Sequence, residues 1–120
     1  MHDEKTILII EPEAAPDARG IIWSLAQRFR LRQRLDVTLN SPPGLERLVC
    51  LLYPDDLEQR QAARERLWGQ KIIVILFSGD AAVMKLDRMV RGDMRTIWGE
   101  DALHCPPDYQ CADVWLKVFF

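Results

Sequence analysis

The sequence predicts an α/β (α+β) domain in which a four-stranded, mainly antiparallel sheet is covered by helices in a split βαβ arrangement. Three observations lead there. Two apolar, β-rich runs, residues 6–10 and 71–77, are each followed by apolar residues at helical spacing. A third run, around Leu35, Val37 and Leu39, alternates apolar and polar side chains with the period of a half-buried strand. The resulting order, β-α-β-(α-α)-β-α-β-α, uses the strand, crossover helix, strand unit twice.

Residues 6–10 read as a buried strand that ends before Pro12, which offers no donor to a ladder. From Pro16 to about Arg30, Ile22, Leu25, Ala26 and Phe29 mark a helix, with Pro16 and Asp17 suited to its first turn. After the second strand, Ser41 is placed to cap a helix opening on Pro42 and Pro43, carrying Leu45, Leu48, Val49, Leu52 and Tyr53 on one face and stopping at Pro54. Asp55 is placed to cap a more polar helix over residues 57–68, closed by Gly69.

Residues 71–77 read as the central strand, because a continuous β-branched run implies burial on both faces, and Gly79 is expected to break it. Asp80 would cap a helix with Ala82, Val83, Leu86, Met89 and Val90 on one face, ending at Gly92. Residues 102–105 read as a short edge strand before Pro106 and Pro107, and a last helix would turn Ala112, Trp115, Leu116 and Phe119 inward. Packed together, these elements make a ferredoxin-like sheet in a single domain, residues 1–120.

A chain of 120 residues, 48% hydrophobic, is the size of one core. Sixteen Lys and Arg against eighteen Asp and Glu leave no net field to draw in nucleic acid or an anionic membrane, so neither is expected as a partner. The longest strongly apolar run is far below a bilayer span, and the N-terminal MHDEK lacks a signal pattern, which predicts a soluble, cytoplasmic protein. Cys50, Cys105 and Cys111 are odd in number and read as reduced thiols. His104 with Cys105 and Cys111 lacks a fourth ligand for a structural zinc, so no metal is expected from protein ligands. Arg28, Arg30, Arg32 and Arg34 read as a solvated turn at the end of the first helix, and the four tryptophans as core.

Three segments, in order, resemble the nucleoside diphosphate kinase family. Lys5 to Ile10 with Glu11, Pro12 and Glu13 is similar to the family's opening strand and Lys-Pro-Asp turn. Ile72 to Phe77 with Ser78, Gly79, Asp80, Ala81, Ala82 and Val83, and Arg88 and Gly92 beyond, is similar to its central strand, glycine turn, Ala-Val helix and Arg-x-x-x-Gly end. Met94, Arg95, Thr96 and Ile97, then Ala102, Leu103, His104 and Cys105, resemble its Ile-Arg segment and the Asn-x-x-His segment that carries the phosphorylated histidine. The resemblance implies that His104 takes a phosphoryl group from a nucleoside triphosphate and passes it to a diphosphate, with Mg²⁺ arriving on the nucleotide and Arg88 and Arg95 as phosphate clamps. A neutral imidazole is a competent nucleophile for this reaction, and arginine spreads the charge of its transition state.

The departures from the family pattern fall on the phosphate site. Glu11 stands where the family has a lysine, Trp115 where it has a glutamate holding the other imidazole nitrogen, Pro106 in place of a serine and Asp101 in place of an asparagine. Only Asp93 and Met94 remain of the Thr-Asn-Pro loop and Pro-Gly-Thr turn. Together they imply a pseudoenzyme that needs no cofactor and acts as a protein-interaction or structural module. Variant domains of this kind in ciliary and flagellar proteins imply axonemal, microtubule-associated partners and a cytoplasmic or ciliary location. The alternatives are an active kinase working through phospho-His104, and a sensor that binds a nucleoside di- or triphosphate without turnover.

Overall fold

β1 (Asp3–Ile10) and β3 (Lys71–Asp80) form the centre of the sheet, as their two-sided apolar character requires. They pair antiparallel from Asp3 opposite Asp80 to Ile10 opposite Ile73 in the computed structural model, which describes residues 3–120. Met1 and His2, which open the stretch read above for signal character, lie outside the described residues. β2 (Arg30–Thr38) joins the free side of β3 and β4 (Leu103–His104) that of β1, both antiparallel, so the strand order is β2-β3-β1-β4. This is the expected split βαβ, ferredoxin-like α+β sheet, with each crossover skipping one position.

Helices cover both faces. On one, α1 (Ala18–Ala26) and α4 (Ala82–Met89) bring Ile21, Leu25 and Leu86 against Leu8, Ile10, Ile75 and Phe77. On the other, α2 (Pro42–Leu52), α3 (Leu57–Leu67) and α6 (Tyr109–Phe119) bring Leu48, Val49, Leu67 and Trp115 against Ile7, Ile9 and Val74. No helix among the described residues is long and apolar enough to cross a membrane.

Several boundaries differ from the sequence expectation, each for a local reason. The first helix is shorter: Pro12–Asp17 is a 3-10 turn, α1 ends at Ala26, and the chain turns so that Arg30 pairs with Ser78. Arg30, Arg32 and Arg34 therefore lie on the edge strand β2 and not at a helix end, with the register shifting between Leu31 and Gln33. Gly79 does not break β3. The strand continues to Asp80, and an added Cβ at Gly79 would only make contact with the Phe29 ring, at 3.4 Å.

Capping differs too. Asp56, not Asp55, caps α3, its carboxylate accepting from Gln59 N–H at 3.0 Å, and Gly69 follows with a φ of +74°. Asp80 does not cap α4; that position falls to Ala81 in the left-handed region, while Glu4 of β1 accepts from Val83 N–H at 3.3 Å. α4 passes into a π-helical turn, Val90–Met94, bent at Gly92, before the short α5 (Arg95–Trp98). Of the tryptophans, Trp115 is core, but Trp23 and Trp68 are exposed and Trp98 is half-buried with its N–H donated to Asp17.

Candidate functional site

The end of β1, the end of α2, the last turn of α3 and strand β4 meet in one polar cluster. Glu11 follows directly on β1, where its backbone N–H donates to the Ala102 carbonyl at 2.9 Å and ties the strand end to the β4 segment. Its side chain is only 1% exposed. A buried carboxylate needs partners, and two meet it. Arg66 donates from Nε at 2.9 Å and Nη2 at 3.2 Å in a bidentate pair, and His104 Nε2 meets the second carboxylate oxygen.

His104 Nε2 also lies 3.0 Å from the carbonyl oxygen of Asp101. A carbonyl and a carboxylate accept, so Nε2 carries a proton, and when the ring is neutral its lone pair is on Nδ1. Tyr53 stands edge-on to the imidazole with ring centroids 6.0 Å apart, and its hydroxyl donates to Asp101 Oδ1 at 2.9 Å. Burial and then the Asp101 carboxylate push the Tyr53 hydroxyl far above its ordinary range, so it stays a donor. At Arg66 burial opposes the charge, but the hydrogen bonds and charge of Glu11 outweigh it and hold the guanidinium protonated.

The cluster borders a cavity of about 340 Å³ lined by Tyr53, His104, Arg91 and Arg95 on one hand and by Asp56, Glu100 and Asp101 on the other. Arg91 pairs with Asp87 at 2.5 Å, a contact that raises its affinity for its proton, and Arg95 pairs with Glu100 at 2.6 Å. No lysine lines this cavity.

Of the residues singled out from sequence, His104, Arg95 and Asp101 line the cavity and Glu11 touches His104 from beneath. Arg88 does not join them; it lines a separate depression with Arg28 and Lys85, and Arg91, one turn further along, reaches the cavity instead. Trp115 and Pro106 are buried, Trp115 among the apolar residues beneath β1. Sequence reasoning missed Arg66, Tyr53 and Arg91. The available signal for Arg66 was its place beside Ala63 and Leu67 on the one buried stripe of an otherwise polar helix.

An antiparallel sheet in the order β2-β3-β1-β4, with an imidazole on β4 facing the end of β1, defines an α+β domain of the nucleoside diphosphate kinase-like, ferredoxin-like fold. No family model and no curated protein sequence matches the chain. Solved structures do. Nucleoside diphosphate kinase from Aquifex aeolicus superposes with a TM-score of 0.74 at 12% identity, over 99% of this chain and 96% of that one. The enzyme from Borrelia burgdorferi, captured as a transition state mimic with bound vanadate and ADP, gives a TM-score of 0.66 at 14% identity, over 98% and 87% of the two chains. At such identities the likeness establishes the fold.

Proposed function

We propose that this chain is a nucleoside diphosphate kinase-like domain that does not pass phosphoryl groups between nucleotides and works through contacts with other proteins. The observation that supports this reading is charge compensation: Arg66, Arg91 and Arg95 are each paired with a carboxylate of the chain itself, Glu11, Asp87 and Glu100. Phosphoryl transfer is largely a matter of placing positive charge on developing negative charge, and one such donor is worth about 3–4 kcal/mol. Two further carboxylates, Asp56 and Asp101, line the cavity beside these pairs, and Arg66 is held by the buried carboxylate of Glu11.

Exposed Trp23, Trp68, Leu57 and Ile97 suit a role in protein contacts. Axonemal or microtubule-associated proteins, in a cytoplasmic or ciliary setting, are the partner class that the sequence resemblance brings, and it is family analogy that supports them. The test is incubation with γ-labelled ATP and Mg²⁺. No acid-labile phosphohistidine is expected; stoichiometric label that disappears in His104→Ala would overturn the reading.

One observation favours a second reading, phosphoryl transfer through His104: Nε2 is engaged by Glu11 and the Asp101 carbonyl, which leaves Nδ1 as the nitrogen that would attack. The same labelling decides between the two. Binding without turnover would appear as a rise in melting temperature with ATP or GTP and Mg²⁺ in the absence of label.

A further inference from the structure

Arg88 belongs to a second depression, of about 340 Å³, between the turn after α1 and the outer face of α4. Arg28, Lys85 and Arg88 line it around a floor of Phe29 and Met89, and no carboxylate lines it. This is the reverse of the cavity beside His104. Among the described residues Arg28 and Arg88 make no ion pair, and Lys85 has only an exposed contact with Asp80 at 3.8 Å. Arg28 and Phe29 also line an adjoining shallow depression toward the edge strand, where Arg30 pairs with Asp3 at 3.7 Å, so the cations left unpaired among these described residues, Arg28 and Arg88, are those of the first depression. The chain as a whole carries a net charge of −2, so the patch is a local concentration and not a consequence of bulk charge.

We propose that this depression docks an acidic, extended segment of a partner protein. The proposal rests on the interaction-module reading and gives it a surface and a partner chemistry. Acidic peptide suits the site better than a compact phosphate group. Arg88 lies in the last turn of α4, at the negative end of its dipole, which works against a concentrated dianion there. The three cations stand on exposed, flexible stems with no helix N-terminus among the lining residues to grip an oxyanion. Carboxylates spread along an extended chain can meet these charges one at a time, and an intervening apolar side chain can rest on Phe29 and Met89.

The experiment measures fluorescence anisotropy of a labelled deca-glutamate peptide with the purified protein at low and at physiological salt. Saturable binding is expected, weakening as salt rises, and falling at least tenfold in Arg28→Glu/Arg88→Glu, whose two sites are exposed and leave the fold intact. Lys117→Glu/Arg47→Glu, on α6 and α2, makes the same change in net charge and should bind within twofold of the unaltered protein. Absence of binding, an equal loss in the control pair, or stronger binding of a single-stranded oligonucleotide of equal charge would each overturn the proposal. The phosphohistidine assay reads His104 alone, so a failure of the kinase-like reading and a failure here are distinguishable.

Discussion

The carboxylate of Glu11 and the Nε2 of His104 are hydrogen-bonded across the seam between the end of β1 and β4. Glu11, which the sequence resemblance sets against a lysine, is therefore not a loose negative charge in the cleft. It is a buried group that orients the imidazole, while Arg66 balances it from α3. The histidine thus has a second partner although Trp115 does not supply one.

This geometry makes the ring's tautomer a direct prediction. Two-bond ¹⁵N–¹H correlation of His104 at neutral pH should show the pattern of an Nε2-protonated ring, because both groups facing Nε2 are acceptors. A spectrum of the Nδ1-protonated form would mean that Glu11 carries the proton and donates to Nε2.

Removing one partner of the buried pair should be costly. Glu11→Ala leaves the Arg66 guanidinium without its carboxylate, and breaking such pairs costs about 3–5 kcal/mol. The lower end, about 3 kcal/mol, applies because the Arg66 side chain is 32% exposed and water can partly replace Glu11. Urea unfolding should show the loss, and Glu11→Ala/Arg66→Met should recover much of it. A double variant as weak as the single one would place the loss in packing and not in charge.

How much of this was legible depends on whether a residue's partners are local. β1 and β3 stood out because a strand buried on both faces is apolar at every position. The first half of β2 did not, since Arg30, Arg32 and Arg34 on an outer edge face solvent and obey no alternation that a core would impose. The cap of α4 was misplaced because its acceptor, Glu4, comes from a strand 79 positions away. His104 and Arg95 were legible through family resemblance. Arg66 and Tyr53 were not, because their significance lies in meeting Glu11 and Asp101, and only the folded chain brings these together.

Trp115 offers a further test of the site. It is 4% exposed in the apolar cluster beneath β1, so Trp115→Glu, which would introduce the carboxylate that the sequence resemblance implies at this position, exchanges a packed indole for a charge. Losing a buried Trp alone costs about 3–5 kcal/mol, and an unpaired carboxylate adds to it. A thermal melt should show severe destabilisation with no gain of phosphohistidine. Near-normal stability would show that this position faces the cavity.

Cys105 should be inert. Burial, and then the neighbouring Asp87 carboxylate, push its thiol up to about 12 from an ordinary value of 9.0, so the thiolate fraction near pH 8 falls on the order of a thousandfold. Iodoacetamide at that pH should label Cys105 in the unfolded chain at least a hundredfold faster than in the native one, as peptide mapping would reveal. Fast native labelling would mean that the β4 segment opens readily.

Ala81 is the one described non-glycine residue in the left-handed region, with a φ of 51°, at the junction of β3 and α4. An L side chain there costs roughly 1–2 kcal/mol, and glycine removes that strain while adding about 0.5–1 kcal/mol of unfolded-state entropy. Ala81→Gly should therefore stabilise the domain slightly, by about 0.5–1 kcal/mol, and raise its melting temperature by roughly 2–6 °C. Ala81→Val, branched at Cβ, should move the melt the other way, because crowding at positive φ increases with branching. If the glycine variant melts lower than the unaltered protein, the turn is held by contacts of the Ala81 methyl group and not strained by it.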